Sequence, residues 1–131
     1  LTTLAVLLGS AGVSWSADLD KGFAAHKRGD YKTALREFKP LAKQGHADAQ
    51  NNLGEMFYNG LGVVQDFKTA VKWLTLSAEQ GYAGAQNNLG GNYYNGQGVP
   101  ENMVYAYMWV NIAYLLGIRM QLKTEIWLRR K

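Results

Sequence analysis

Few residues in this 131-residue chain have types and spacings that could do chemistry: two histidines, Ser77, two Gly-x-Gly-Val strings, Trp73 and Trp109, and two Asn-Asn pairs. His26 and His46 lie 20 residues apart in unrelated contexts. Neither has metal-ligand spacing, and both read as ordinary surface residues. Ser77 is the one serine after residue 16. It occupies a small slot on an apolar helix face, and no histidine is placed to act as its base. The strings Gly60-Leu-Gly-Val63 and Gly96-Gln-Gly-Val99 invite a phosphate-loop reading. A dinucleotide fingerprint needs a preceding strand and a third glycine opening a helix. Here a helix pattern precedes and the third glycine is missing, so the strings read as interhelical turns. Trp73 and Trp109 suit sugar stacking, but their matching slots at helical spacing favour packing. The carboxylates are scattered, with no pair at glycosidase spacing. No catalytic residue, metal or cofactor is expected.

Cysteine is absent. Disulfides, thiolate nucleophiles, Cys-based zinc sites and a lipid-modified Cys anchor are therefore excluded. The asparagines remain. Asn is a poor helix-interior residue because its amide competes for backbone hydrogen bonds. Yet Asn51-Asn52 and Asn87-Asn88 sit inside a hexapeptide, AQNNLG, that occurs twice at a spacing of 36 residues. It is either a duplicated site or one building block used twice.

Aligning 47–82 with 83–118 decides for the building block: fifteen of 36 positions are identical. They include Leu53/Leu89, Gly54/Gly90, Gly60/Gly96, Gly62/Gly98, Ala70/Ala106, Trp73/Trp109 and Gly81/Gly117. A fixed period of this size signals a solenoid whose units pack on their neighbours. Within each block, Ala49, Leu53 and Phe57 recur at i, i+4 and i+8, which predicts a first helix over about 47–58. Gly54 costs about 1 kcal/mol against alanine in a helix interior, so its presence in both copies predicts close approach of a neighbouring helix. The glycine string breaks the helix. Asp66, and Asn102 in the second copy, cap the next one. That second helix buries Phe67, Ala70, Val71, Trp73, Leu74 and Ala78 and ends at Gly81. Gly117 is expected to end its counterpart.

These residues resemble the Sel1-like repeats, relatives of the tetratricopeptide repeats. The pattern reads here as Ala47, Ala49, Leu53, Gly54, Phe57, Gly60, Gly62, Val63, Asp66, Ala70, Trp73 and Gly81. The second copy departs at Asn102, Tyr114 and Leu115. The stretch HKRGDYKTALREFKPLAKQG resembles a tetratricopeptide-style half-unit. The resemblance implies an all-α, right-handed α-solenoid of antiparallel helix pairs. Its expected order is a half-unit at 17–46, repeats at 47–82 and 83–118, and a basic helix or atypical cap at 119–131. In that last segment Met120, Leu122, Ile126 and Trp127 are expected to be partly buried. The chain also reads as a possible part of a longer array.

In tetratricopeptide-like solenoids the first helices line a concave groove. That resemblance makes Asn51, Glu55, Tyr58, Asn87 and Tyr94 the candidate partner-contact residues, while Asn52 and Asn88 fall in a structural slot. Tyrosine supplies contact area at low entropic cost, and amides bond extended peptide backbone. The implied function is an adaptor that binds a protein or peptide. A cell-envelope hydrolase is the alternative, because some Cys-rich relatives are associated with penicillin binding or β-lactam hydrolysis. The lack of cysteine separates this chain from them.

Two further features bound the reading. The excess of four positive charges lies entirely in 119–131, where five basic residues accompany one acidic residue, while nine face nine over 17–118. Nucleic-acid binding is not expected from a body so balanced. At the other end, Leu4 to Val13 is uncharged and apolar, and Ser14 and Ser16 suit a signal-peptidase site before Ala17. Residues 1–16 thus resemble the second half of a secretory signal. The run is shorter than the roughly 20 residues a membrane span needs. A periplasmic or secreted location in a bacterial envelope is expected, with no stable membrane span after cleavage.

Overall fold

The computed structural model describes residues 17–130. The signal-peptide reading of 1–16 falls outside them. Six helices and no strand are found among the described residues: α1 (Leu19–Lys27), α2 (Tyr31–Lys43), α3 (Ala47–Asn59), α4 (Phe67–Glu79), α5 (Ala83–Asn95) and α6 (Met103–Arg129). Each packs chiefly on its neighbours in sequence. This is the order of an all-α solenoid, in which contacts stay local.

Four of the six helix starts follow from side chains that the sequence places at the caps, while α3 and α5 begin at His46 and Tyr82 without a side-chain cap bond. Asp18, Asp30, Asp66 and Asn102 accept the backbone N–H of Lys21, Thr33, Thr69 and Tyr105 at 3.1, 3.2, 3.1 and 3.1 Å. Each bond satisfies one of the donors that a helix N-terminus leaves open. At Asp66 the Thr69 hydroxyl adds a 2.7 Å bond. That hydroxyl, and then the Thr69 N–H, hold the Asp66 carboxyl below its usual range. A carboxyl that is a stronger acid in the folded state stabilises above its unfolded pKa of about 3.9. Its contribution is lost as the pH falls through the folded value. Asp66→Asn keeps a capping acceptor, as Asn102 shows, and removes the titration. We expect the melting temperature of the variant to fall less steeply below about pH 4 than that of the parent. Equal acid slopes in thermal melts would count against this origin.

Helix ends are set by glycines in the left-handed region. Gly60 and Gly96 are the C-caps of α3 and α5, at φ 68° and 65°. The second glycine of each string does more. Gly62 and Gly98, at φ 71° and 76°, lie against the first residue of the preceding second helix, Tyr31 and Phe67 respectively. The turn is therefore also an inter-repeat contact. Gly54 and Gly90 show the close approach expected of them. A Cβ at Gly54 would lie 2.8 Å from Leu74 Cγ and 3.2 Å from the Ala70 carbonyl oxygen. A Cβ at Gly90 would lie 2.7 Å from Val110 Cγ2 and 3.1 Å from the Ala106 carbonyl oxygen.

Two apolar clusters form the core. The first joins α1 to α3 through Ala25, Ala34, Phe38, Leu41, Ala49, Leu53 and Met56, with Trp73 packed against its edge. The second joins α4 to α5 through Val71, Leu74, Ala78, Ala85 and Leu89, with Trp109 at its edge. Both tryptophans thus pack in the same slot. The amide of Gln50 donates to the Ala42 carbonyl at 3.1 Å, and that of Gln86 to the Ala78 carbonyl at 3.1 Å. Each ties a first helix to the end of the preceding second helix. Gln50 Oε1 accepts Gln80 Nε2 at 2.7 Å. Gln86 Oε1 is buried with no protein donor, because Leu116 stands one period after Gln80.

Three expectations need correction. Gly117 does not end the last helix: α6 runs through it without a positive φ to Arg129. The residues after Gly81 turn back onto α4 as α5. Those after Gly117 are mostly good helix formers and carry the helix onward, since a glycine costs only about 1 kcal/mol there. Met120, Leu122, Ile126 and Trp127 are not partly buried but more than half exposed. His26 is no plain surface residue either. Its ring meets Tyr31 edge-on at 5.5 Å, and its Nε2 is buried. The charge balance of the body also hides a pattern. Lys32, Arg36, Lys39 and Lys43 share the outer face of α2, whose one acid, Glu37, is buried.

Candidate functional site

The side chains of α3 and α5 that face away from the apolar stripe meet across a cavity of about 400 Å³. It is lined by Glu55, Tyr58 and Asn59 from α3, Leu74 from α4, and Asn87, Asn88, Gly91 and Asn92 from α5. Three of the five residues expected to contact a partner, Glu55, Tyr58 and Asn87, are therefore brought to one place. Asn87 is exposed and unclamped, whereas Glu55 and Tyr58 are half-buried.

Glu55 is held from two sides. Asn51 Nδ2, one turn back on α3, donates to its Oε1 at 3.0 Å, and Asn88 Nδ2 donates to the same oxygen from α5 at 2.8 Å. Asn88 Nδ2 also reaches Asn51 Oδ1 at 3.2 Å. Bonds to a charged acceptor are about twice as strong as neutral ones, so this node fixes the carboxylate and clamps repeat to repeat. Asn51 is consequently buried beneath the groove and serves as a support for Glu55. Tyr58 donates its hydroxyl to Gln97 Oε1 at 2.6 Å and tilts its ring on Phe67, 5.1 Å away. Its polar tip is spent inside the fold, and its ring remains for contact.

Tyr94, the fifth candidate, is 55% exposed. It lines a second, more apolar cavity of about 290 Å³ with Asn87, Gly90, Gly91, Ala106, Tyr107 and Val110. Asn87 and Gly91 belong to both cavities. Gly91 stands one period after Glu55, and a Cβ there would meet nothing within 4 Å. The loss of a side chain at this slot joins the two cavities into one trough.

Asn88 is the residue that sequence reasoning missed. Its slot-mate Asn52 does play the structural part, donating to the Asp48 carbonyl at 2.8 Å along its own helix. Asn88 instead crosses to α3, because Glu55 lies opposite it. Tyr82, at the entry to α5, reports the local field. Burial pushes its hydroxyl pKa up, and the nearby Asp48 and Glu55 carboxylates push it further. Among the described residues no group of His, Cys, Asp or Glu side chains is arranged to hold a metal ion.

The family model described as Sel1 repeat matches residues 47–82 and 83–118. Among solved structures, a Sel1 repeat protein from Oxalobacter formigenes is similar at 31% identity and TM-score 0.63, over 64% of each chain. A protective antigen present in uropathogenic Escherichia coli strains, displaying an SLR fold, is similar at 39% identity and TM-score 0.63. That match covers 65% of this chain and 18% of the antigen. The chain thus spans less than two thirds of either structure. No curated protein matches it.

Proposed function

The chain belongs to the Sel1 repeat family, and from that premise we propose that it is an exported adaptor that binds an extended segment of a protein partner in the trough between α3, α5 and α6. The family supports a protein–protein interaction module. The groove assignment rests chiefly on one observation: a fixed carboxylate and exposed amides line a cavity that continues into an aromatic one. Amides and a carboxylate suit backbone and side-chain donors, and tyrosines supply contact area. Export is supported by the signal-like composition of residues 1–16. No helix among the described residues is long and apolar enough to cross a membrane. No observation favours the envelope-hydrolase alternative.

The test is a comparative pull-down from envelope extract. The full chain and a Glu55→Lys, Tyr58→Ala, Tyr94→Ala variant are used as baits, with circular dichroism confirming that both are helical. A partner is expected to be captured by the parent and reduced about tenfold or more by the variant, since central contacts carry most of the binding energy. A partner held equally by both would move the interface out of the trough.

A further inference from the structure

We propose that the trough selects a segment carrying a lysine or arginine about two to three residues from an apolar side chain, with Glu55 receiving the cationic head and Tyr94, Tyr107 and Val110 receiving the apolar one. This rests on the trough being the partner site.

Among the described residues Glu55 is the only charged one lining the first cavity. The ion pairs among the described residues are Arg28–Asp30 and Arg36–Glu37, so no cation among them neutralises Glu55. A half-buried carboxylate that accepts only neutral amides is partly desolvated without a counter-charge, which leaves it favourable for an incoming cation. Both amides converge on Oε1, and among the described residues no hydrogen bond engages Oε2. The carboxylate is thus preorganised, so a ligand need not order it.

The second cavity supplies the other half of the preference. It lies between α5 and α6, whereas the first lies between α3 and α5, and they communicate across Asn87 and Gly91. Packed helices are spaced about 8–10 Å apart. An extended chain covers that distance in about three residues. The basic and apolar side chains of the ligand therefore sit about two to three residues apart, with Asn87 beneath the backbone between them.

The probe is a displayed library of random heptapeptides panned on the full chain, on Glu55→Gln and on the triple variant above. Glu55→Gln is isosteric and keeps an acceptor for Asn51 and Asn88, so the node survives while the charge goes. The expected result is an enrichment, on the parent, of Lys or Arg about two to three positions from an apolar residue. Glu55→Gln should lose the basic preference and keep the apolar one. A selected synthetic peptide should bind Glu55→Gln about tenfold more weakly. Peptides that depend on the trough but show no basic bias would overturn this inference and leave the trough as the partner site. A basic bias unchanged in Glu55→Gln would also overturn it. If no selected peptide is lost on the triple variant, the partner-site reading fails, and this inference fails with it.

Discussion

Gly98→Ala is expected to destabilise the protein by about 3 kcal/mol. Two penalties add. The backbone at Gly98 has φ 76°, and an L-residue in the left-handed region costs about 1–2 kcal/mol. A methyl group there also collides with the Phe67 carbonyl oxygen, and it lies 3.0 Å from the Lys68 nitrogen. These are backbone atoms of the first turn of α4, which cannot swing aside as a side chain does. Overpacking of this kind costs about 1–3 kcal/mol. Gly81→Ala provides the internal reference. Gly81 has φ 90° but open space around it, so only the backbone penalty applies. Urea unfolding followed by helical circular dichroism should rank Gly98→Ala well below Gly81→Ala. Equal losses would mean that the turn does not bear on α4 as described.

Phe38→Ala is expected to cost about 3–5 kcal/mol. Phe38 is fully buried, meets the Phe23 ring edge-on at 5.4 Å, and lies under Gly22, where a Cβ would be 2.6 Å from its Cε1. The ring is therefore the largest buried side chain between α1 and α2, packed in one cluster with Ala25 and Ala34. Domain stabilities are about 5–15 kcal/mol, so this is a large share. In a solenoid the loss stays near its origin, because units feel only their neighbours. Hydrogen exchange should show amides of α1 and α2 losing protection while those of α4 to α6 keep theirs. Uniform loss along the chain would mean that the half-unit and the repeats unfold as one.

Much of the fold was legible because its causes are local. Asp66 and Asn102 cap helices through atoms three residues away, and Gly60 and Gly96 end helices through their own φ. Leu53 and Leu89 recur at helical spacing and are buried. The end of α6 was not legible from Gly117, because a glycine stops a helix only where the chain beyond it has somewhere to pack. The groove was half legible. Glu55, Tyr58, Asn87 and Tyr94 could be placed on one face by counting residues. The parts played by Asn51 and Asn88 could not.

The sequence by itself determined the repeat, its period, the helix starts and the identity of the glycines that let helices touch. Each follows from residue type and spacing along one chain. Only the tertiary structure decided that Asn88 clamps Glu55 across two helices, that the Tyr58 hydroxyl is consumed by Gln97, and that Gly91 opens the floor between two cavities. Those pairs lie 33 and 39 residues apart. Their meeting depends on how one repeat is rotated onto the next. Contacts that cross from one unit to the next, Gly62 on Tyr31 and Gly98 on Phe67, bear on that rotation, and neither alone encodes it.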